Sequence, residues 1–144
     1  MNIWLDTETY SPIPIKHGTY RYAEQAEVLL MSYALDGRNV ECWDLTETSE
    51  MPIELHEALR NKSNLVWFQN GDKFDWPVLA HAMPWLCELV PQERRRDTMV
   101  QAYSHGLPGG LGMMGEALGV EVEKAKLKTG RMQIARFCKP QKDG

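Results

Sequence analysis

Two carboxylates, Asp6 and Glu8, stand at the end of the first apolar segment of the chain, NIWLDTETY. On a β-strand, residues i and i+2 project from the same face, so these two side chains are expected to lie side by side. Neighbouring carboxylates resist ionisation unless a cation neutralises them, and hard oxygen ligands suit Mg²⁺ or Mn²⁺. An Asp-x-Glu triplet also arises by chance in about every second chain of this length, so the pair needs further ligands to indicate a metal site.

A third carboxylate, Asp75, is a candidate for the same site. It lies in QNGDKFDWPVL (69–79), which follows the short apolar segment LVWF (65–68) and leads into a helical pattern. If LVWF forms a strand beside the first one, Asp75 can approach Asp6 and complete a metal cradle, and Asn70 is available to hydrogen-bond a substrate. Alternatively, Asp75 is an N-terminal helix acid that the helix dipole favours.

The elements that must position these residues predict an α/β fold. Strands are expected over 2–7, 28–35, 39–45 and 65–68, with a hairpin turn at Asp36-Gly37. Helices are expected over 52–60, 74–86, 97–105, MMGEALG (113–119) and 129–138, with Asp97 as an N-cap and Pro84 ending or kinking its helix. The segment between the first two strands contains two prolines and a glycine and is predicted to be an irregular loop. This order favours a mixed sheet with flanking helices.

Length and composition predict one ordinary globular domain over residues 1–144, with 43% hydrophobic and 25% charged residues. No segment reads as a membrane span or signal peptide, so a cytoplasmic location is expected. Residues 1–93 hold 6 Lys and Arg against 15 Asp and Glu, whereas residues 94–144 hold 10 against 5 and include a basic tail at about 121–144. An acidic part that gathers cations beside a basic part that holds phosphates is typical of nucleic-acid enzymes, although unevenly charged solvent-exposed surface gives the same counts.

Two kinds of side chain are candidates for contact with a nucleic acid. Tyr10, Tyr20 and Tyr22, in the loop after the acidic pair, are placed to stack on a base. The basic residues can contact phosphates or form solvated surface; they are Arg94, Arg95, Arg96, Lys124, Lys126, Lys128, Arg131 and Arg136.

The segments LDTET (5–9) and NGDKFDWPVL (70–79) resemble the first two motifs of the 3′-to-5′ proofreading exonuclease domain of family A DNA polymerases, most closely those of bacteriophages. That domain belongs to the DEDD exonuclease superfamily. RRDTMVQAY (95–103) and GRMQIARFCKP (130–140) are also similar to segments of the phage proteins, in the same order. The resemblance implies a ribonuclease H-like mixed sheet that begins with antiparallel strands.

The resemblance further implies two-metal hydrolysis at the 3′ end of single-stranded DNA, with two Mg²⁺ or Mn²⁺ ions about 4 Å apart. Asp6, Glu8 and Asp75 are then the catalytic metal ligands. Thr7, through its backbone, and Asn70, through its amide, are then substrate-binding residues. A polymerase domain or a complementing chain is the implied protein partner, and the host cytoplasm is the implied location if a phage encodes the chain.

The sequence departs from this family in one respect. The third family motif, Tyr or His followed four residues later by Asp, has no match after Asp97, so the fourth carboxylate is missing. We therefore expect a truncated C-terminal part, a split protein that another chain completes, or a domain with impaired activity. A catalytically impaired module that binds nucleic acid or a polymerase, and a related nuclease acting on RNA, are the alternative functions.

Overall fold

The computed structural model describes residues 1–120 and 130–139, and within them five strands and seven α-helices. The strands are β1 (Asn2–Tyr10), β2 (Glu27–Leu35), β3 (Glu41–Asp44), β4 (Leu65–Phe68) and β5 (Arg95–Asp97). The helices are α1 (Thr19–Ala23), α2 (Ile53–Arg60), α3 (Asp75–Ala82), α4 (Pro84–Leu89), α5 (Thr98–Ser104), α6 (Leu111–Ala117) and α7 (Gly130–Phe137).

The strands form one mixed sheet in the order β3-β2-β1-β4-β5. The β1–β2 and β2–β3 pairs are antiparallel, whereas β1–β4 and β4–β5 are parallel. β1 is therefore the central strand, and the carboxyl ends of β1 and β4 lie at the same edge of the sheet. The predicted α/β, ribonuclease H-like architecture is confirmed.

The predicted hairpin between β2 and β3 is also confirmed. Asp36 and Gly37 have φ angles of 46° and 74°, and the Arg38 amide donates to the Leu35 carbonyl at 3.0 Å. Two consecutive left-handed residues define a tight turn whose twist matches the flanking strands, and the Asp-Gly pair favours this conformation.

The hydrophobic core packs against one face of the sheet. Alternate residues of β1 point into it, and both Ile3 and Leu5 are at most 5% exposed. Val66 and Phe68 of β4 extend the same face, and the helices cover it with a set of fully buried side chains: Leu55, Leu59, Val78, Leu79 and Leu86. The period of two along β1 leaves the intervening residues, including both acids, on the opposite face.

Several sequence-based elements differ from the structure. The strand expected over 2–7 extends to Tyr10, and the helix expected over 113–119 is shifted to Leu111–Ala117. The loop after β1 contains a short helix, α1, and β5 was not predicted. The helix expected over 74–86 is two helices: α3 ends just before Pro84, as predicted, and Pro84 then begins the second helix, α4. β5 has the sequence Arg-Arg-Asp, which carries no apolar alternation, and it lies at the sheet edge, where such a strand is tolerated.

No helix within the described residues is long and apolar enough to cross a membrane. Most of the predicted basic tail lies outside the described residues, including Lys124, Lys126 and Lys128. The assignment of residues 1–144 to a single domain stays a prediction.

Candidate active site

The acidic pair lies on the face of β1 that points away from the core. Asp6 is exposed and Glu8 is half-buried, whereas Thr7 between them is buried on the core face. The two carboxylates thus share one face, as the strand period predicts. They keep partial contact with solvent, so the hydrophobic core does not desolvate them.

A β-bulge lies directly beside Glu8. The β1–β2 pairing runs from Glu8 opposite Leu30 to Thr9 opposite Val28, so Leu29 is an extra residue on β2. Bulges bend a strand and redirect side chains, and they are frequent next to active sites. Here the bulge lies beside the acidic pair and places Leu29 and Leu30 along the same groove as Glu8.

Asp75 reaches β1 through Thr7. Asp75 is the first residue of α3 and is 3% exposed, and the Thr7 hydroxyl donates to its Oδ1 at 2.5 Å. The two residues are separated by 68 positions in the chain, and the parallel β1–β4 pairing brings them together. Asp75 therefore adjoins the acidic pair, although its contact with β1 is made on the core face of the strand.

The environment of Asp75 opposes its negative charge. The pKa of this carboxyl is raised from the usual 3.8 to about 7, mainly by burial; the charges of Asp6 and Asp97 add to the rise, and the hydrogen bond from Thr7 opposes it. The negative charge of Asp6 thus disfavours the ionised form of Asp75. A divalent cation between them would reverse this repulsion and favour the ionised form.

The donor chemistry of Asp6, Glu8 and Asp75 fits a hard divalent ion, since all three supply carboxylate oxygens. Within residues 1–120 and 130–139, however, no group of three or more His, Cys, Asp or Glu side chains is already arranged around a common ion position. The structure places Asp6 and Glu8 on one face of β1 and Asp75 against Thr7 on the other, and their assignment as metal ligands stays a prediction.

Asn70 lies in a constrained turn that follows β4. Its φ angle of 65° is left-handed, which Asn tolerates better than most residues. At the next position, a Cβ on Gly71 would overlap the Phe68 side chain, so glycine is required for the close approach of the turn to β4. Asn70 lines the same groove as Asp6 and Glu8. Its predicted role in substrate binding is compatible with this position.

The acidic pair lies at the floor of a groove of about 1520 Å³. The walls come from a glycine-rich segment and from α6 and α7; they include Gly109, Gly110, Leu111, Met114, Ile134 and Phe137. The Gln69 amide donates to the Gly109 carbonyl at 2.8 Å and thereby ties this wall to the end of β4. The groove joins a polar, acidic floor to apolar walls, a combination that suits the backbone and bases of a nucleic-acid strand.

The segment that follows α7 reaches the acidic pair. The Cys138 thiol donates to Glu8 Oε2 at 3.7 Å, and burial raises the pKa of this thiol. Sequence reasoning did not identify Cys138 or Gln69 as site residues, because neither has a motif or a local spacing that links it to Asp6.

Tyr22, a predicted base-stacking residue, is 7% exposed, and its hydroxyl shares a 2.8 Å hydrogen bond with Thr9. It therefore belongs to the supporting structure under β1, and the stacking role predicted for it is wrong. Tyr20, by contrast, is 74% exposed.

The arginines at positions 94–96 differ in their surroundings. Arg94 is 6% exposed and donates to the carbonyls of four residues: Leu59, Asn61, Asn64 and Leu89. Arg95 stacks over the Trp76 ring at 4.0 Å from its centroid, and Arg96 is exposed. Arg94 is thus a structural residue, and a phosphate-binding role for it is excluded by its burial.

Comparison with known proteins shows a relative in sequence. No protein-family model matches the chain. A DNA polymerase of Bacillus phage SP02 is 33% identical to it over 144 residues, which are 96% of this chain and 21% of that polymerase. The chain thus spans about a fifth of the length of its relative. The predicted relationship to a phage DNA polymerase is confirmed.

Solved structures share the fold. Brucella melitensis NrnC has a TM-score of 0.57 at 20% identity, over 88% of this chain and 56% of that one. NrnC bound to pGG has a TM-score of 0.59 at 18% identity, over 88% and 55%. NrnC with bound Mg²⁺ has a TM-score of 0.57 at 18% identity, over 93% and 64%. At these identities the likeness shows the fold alone.

Proposed function

We propose that this chain is a 3′-to-5′ exonuclease domain that removes nucleotides from single-stranded DNA with Mg²⁺ or Mn²⁺, as part of a phage-type DNA polymerase. The observation that carries the proposal is the placement of Asp6 and Glu8 in a groove that Asn70 also lines, with Asp75 at the start of α3 held against β1 by Thr7. The sequence relationship to a phage DNA polymerase supports it. Such a domain would act in the cytoplasm of the host cell.

In this proposal Asp6, Glu8 and Asp75 hold the divalent ions. Divalent ions bound there would supply an attacking water of lowered pKa and a positive charge that stabilises the leaving 3′ oxygen. The negative charges of the three carboxylates balance the positive charge of the ions. The side-chain amide of Asn70 hydrogen-bonds to the terminal nucleotide. Thr7 contributes its backbone to the same nucleotide, and its side-chain hydroxyl holds Asp75 in place.

The apolar surface of the groove supports the proposed action on an unpaired strand. Leu30, Met114 and Phe137 offer apolar surface to bases that are not paired, whereas a duplex would hide its bases from such a surface. The fold shared with NrnC, which has been solved with pGG and with Mg²⁺, supports both nucleic acid and metal as ligands.

A module that binds a strand without cleaving it is the second candidate. The observation that favours it is the absence, among the described residues, of three acidic, His or Cys side chains already arranged around an ion. A binding module would retain the groove and the Asn70 turn and would bind the strand, but neither the wild type nor an Asp6 variant would degrade it.

The test uses 5′-labelled single-stranded DNA and RNA oligonucleotides with Mn²⁺ or with EDTA. We expect the wild-type chain to shorten the DNA from its 3′ end only with Mn²⁺. Asp6→Ala should lower this rate by at least about a hundredfold, because the loss of a metal ligand reduces activity more than the loss of a residue that only supports a ligand. Asp36→Asn is the matched control, because Asp36 accepts a backbone hydrogen bond at the opposite end of β1.

Equal degradation by the wild type and Asp6→Ala, or none by either, would contradict the exonuclease proposal. Binding without degradation would favour the second candidate. Faster degradation of RNA than of DNA would identify RNA as the substrate.

A further inference from the structure

The carboxylate of Asp97 is buried, and both of its oxygens accept hydrogen bonds from backbone amides. Asp97 is 7% exposed. Its Oδ1 accepts from the amides of Asn70 at 3.0 Å and Met99 at 2.8 Å, and its Oδ2 accepts from the amide of Asp72 at 3.2 Å. Of these, only the bond to Met99 is the helix cap that the sequence predicts.

The two remaining bonds hold the turn that carries Asn70. This turn needs a left-handed residue at Asn70, a conformation that costs energy for a residue with a side chain. Two hydrogen bonds from its backbone to one carboxylate stabilise that conformation. An amide side chain at position 97 would offer only one acceptor oxygen, so a carboxylate is the group that suits three N–H donors on two oxygens.

The neighbouring residue, Thr98, anchors the other side of the turn. Its hydroxyl hydrogen-bonds to Gln69 Oε1 and to the Phe68 carbonyl, and Gln69 in turn donates to Gly109 in the groove wall. Residues 97 and 98, at the junction of β5 and α5, therefore anchor the turn on both sides of Asn70. Neither residue lies on the same strand as the acidic pair.

We infer that Asp97 is a positioning residue that holds the Asn70 side chain in the groove for a nucleic-acid strand. This inference rests on the proposed function. Asp97 acts through Asn70 and not on the ions, because both of its oxygens already face backbone N–H groups. It is therefore not the fourth carboxylate that the third family motif would supply.

Asp97→Ser separates this role from helix capping. Serine is as good an N-cap as aspartate, so the bond to Met99 can persist, but its hydroxyl is too short to reach the amides of Asn70 and Asp72. Asp97→Asn is the second variant, since it keeps the size and loses one acceptor. Asp36→Asn is the control, and thermal unfolding shows that each variant is folded.

The first readout is backbone amide exchange in EDTA, which needs neither metal nor substrate. We expect the amides of Asn70 and Asp72 to exchange at least about tenfold faster in Asp97→Ser, while the Met99 amide changes little. Unchanged exchange at Asn70 and Asp72 would overturn the inference, whatever the activity of the chain.

The second readout is the affinity for a single-stranded oligodeoxynucleotide in CaCl₂, in a double-mutant cycle with Asn70→Ala. We expect Asp97→Ser to weaken oligonucleotide binding by about threefold to tenfold when position 70 is Asn. When Asn70→Ala is already present, adding Asp97→Ser should have no further effect on the affinity. Equal weakening in both backgrounds would overturn the inference. If the wild type binds no oligonucleotide, the proposed function fails, and amide exchange alone decides whether Asp97 anchors the turn.

Discussion

The Thr7 hydroxyl donates to Asp75 Oδ1 at 2.5 Å and joins the central strand to the first turn of α3. Thr7 lies between Asp6 and Glu8 but points to the opposite face of β1. The same three-residue segment therefore presents two carboxylates to the groove on one face of β1 and hydrogen-bonds to a third carboxylate, that of Asp75, on the opposite face. This arrangement explains why a threonine between two acids matters to the site.

Thr7→Val removes this hydroxyl at nearly constant volume. At pH 8, where Asp75 is ionised, we expect the free energy of unfolding in EDTA to fall by about 1.5–3 kcal/mol, because a buried carboxylate loses a hydrogen bond. At pH 5 the loss should be smaller, because Asp75 is then protonated. Denaturant unfolding measures both values.

Thr46→Val is the matched control, because the Thr46 hydroxyl also donates to an aspartate, Asp44, but in an exposed turn. We expect little change in its unfolding at either pH. A loss in Thr7→Val no larger than that in Thr46→Val would contradict the role of Thr7.

Asp75→Asn tests the raised pKa of Asp75. A carboxyl whose pKa rises from 3.8 in the unfolded chain to about 7 in the folded one binds its proton more tightly when folded. The wild type therefore loses stability as the pH rises from about 4 to 7, by at most about 4 kcal/mol. Asn has no such proton, and its oxygen can still accept from Thr7.

In metal-free buffer, the stability of Asp75→Asn relative to the wild type should therefore increase from pH 5 to pH 8. Denaturant unfolding at the two pH values is the measurement. A constant difference between the two proteins would show that Asp75 titrates near its usual value.

Arg94→Lys tests the structural assignment of this arginine. Lysine cannot reproduce the fork that donates to four carbonyls, so we expect a loss of at least about 2 kcal/mol in the free energy of unfolding. Arg96→Lys, at an exposed position, should unfold much like the wild type.

The affinity for single-stranded DNA at several salt concentrations distinguishes a structural role of Arg94 from a phosphate-binding role. The folded Arg94→Lys protein should keep the wild-type dependence of affinity on salt, because a buried guanidinium releases no counterions. A shallower salt dependence would identify Arg94 as a phosphate contact.

Local patterns predicted the parts of the site that depend on local geometry. The period of two placed Asp6 and Glu8 on one face, LVWF was assigned as β4 with the correct bounds, and Asp97 was correctly assigned as an N-cap. In each case the physical cause acts within a few residues.

The remaining features depend on residues that are distant in sequence. Arg94 is buried and donates to backbone carbonyls of several separate segments. No local sequence pattern therefore distinguishes it from the exposed Arg96. β5 has three charged residues and is a strand only because β4 offers it a parallel edge. The loop after β1 contains prolines and a glycine, but Tyr22 and Ala23 of α1 find buried positions that a sequence window does not reveal.

In the proposed function, Asp75 joins Asp6 and Glu8 in binding one set of divalent ions. Electron paramagnetic resonance of free Mn²⁺ at pH 8 measures this directly in the wild type, Asp6→Asn, Asp75→Asn and the control Asp36→Asn. We expect the wild type and Asp36→Asn to bind Mn²⁺ alike and both site variants to bind it at least about tenfold more weakly. Wild-type affinity in Asp75→Asn would contradict the claim.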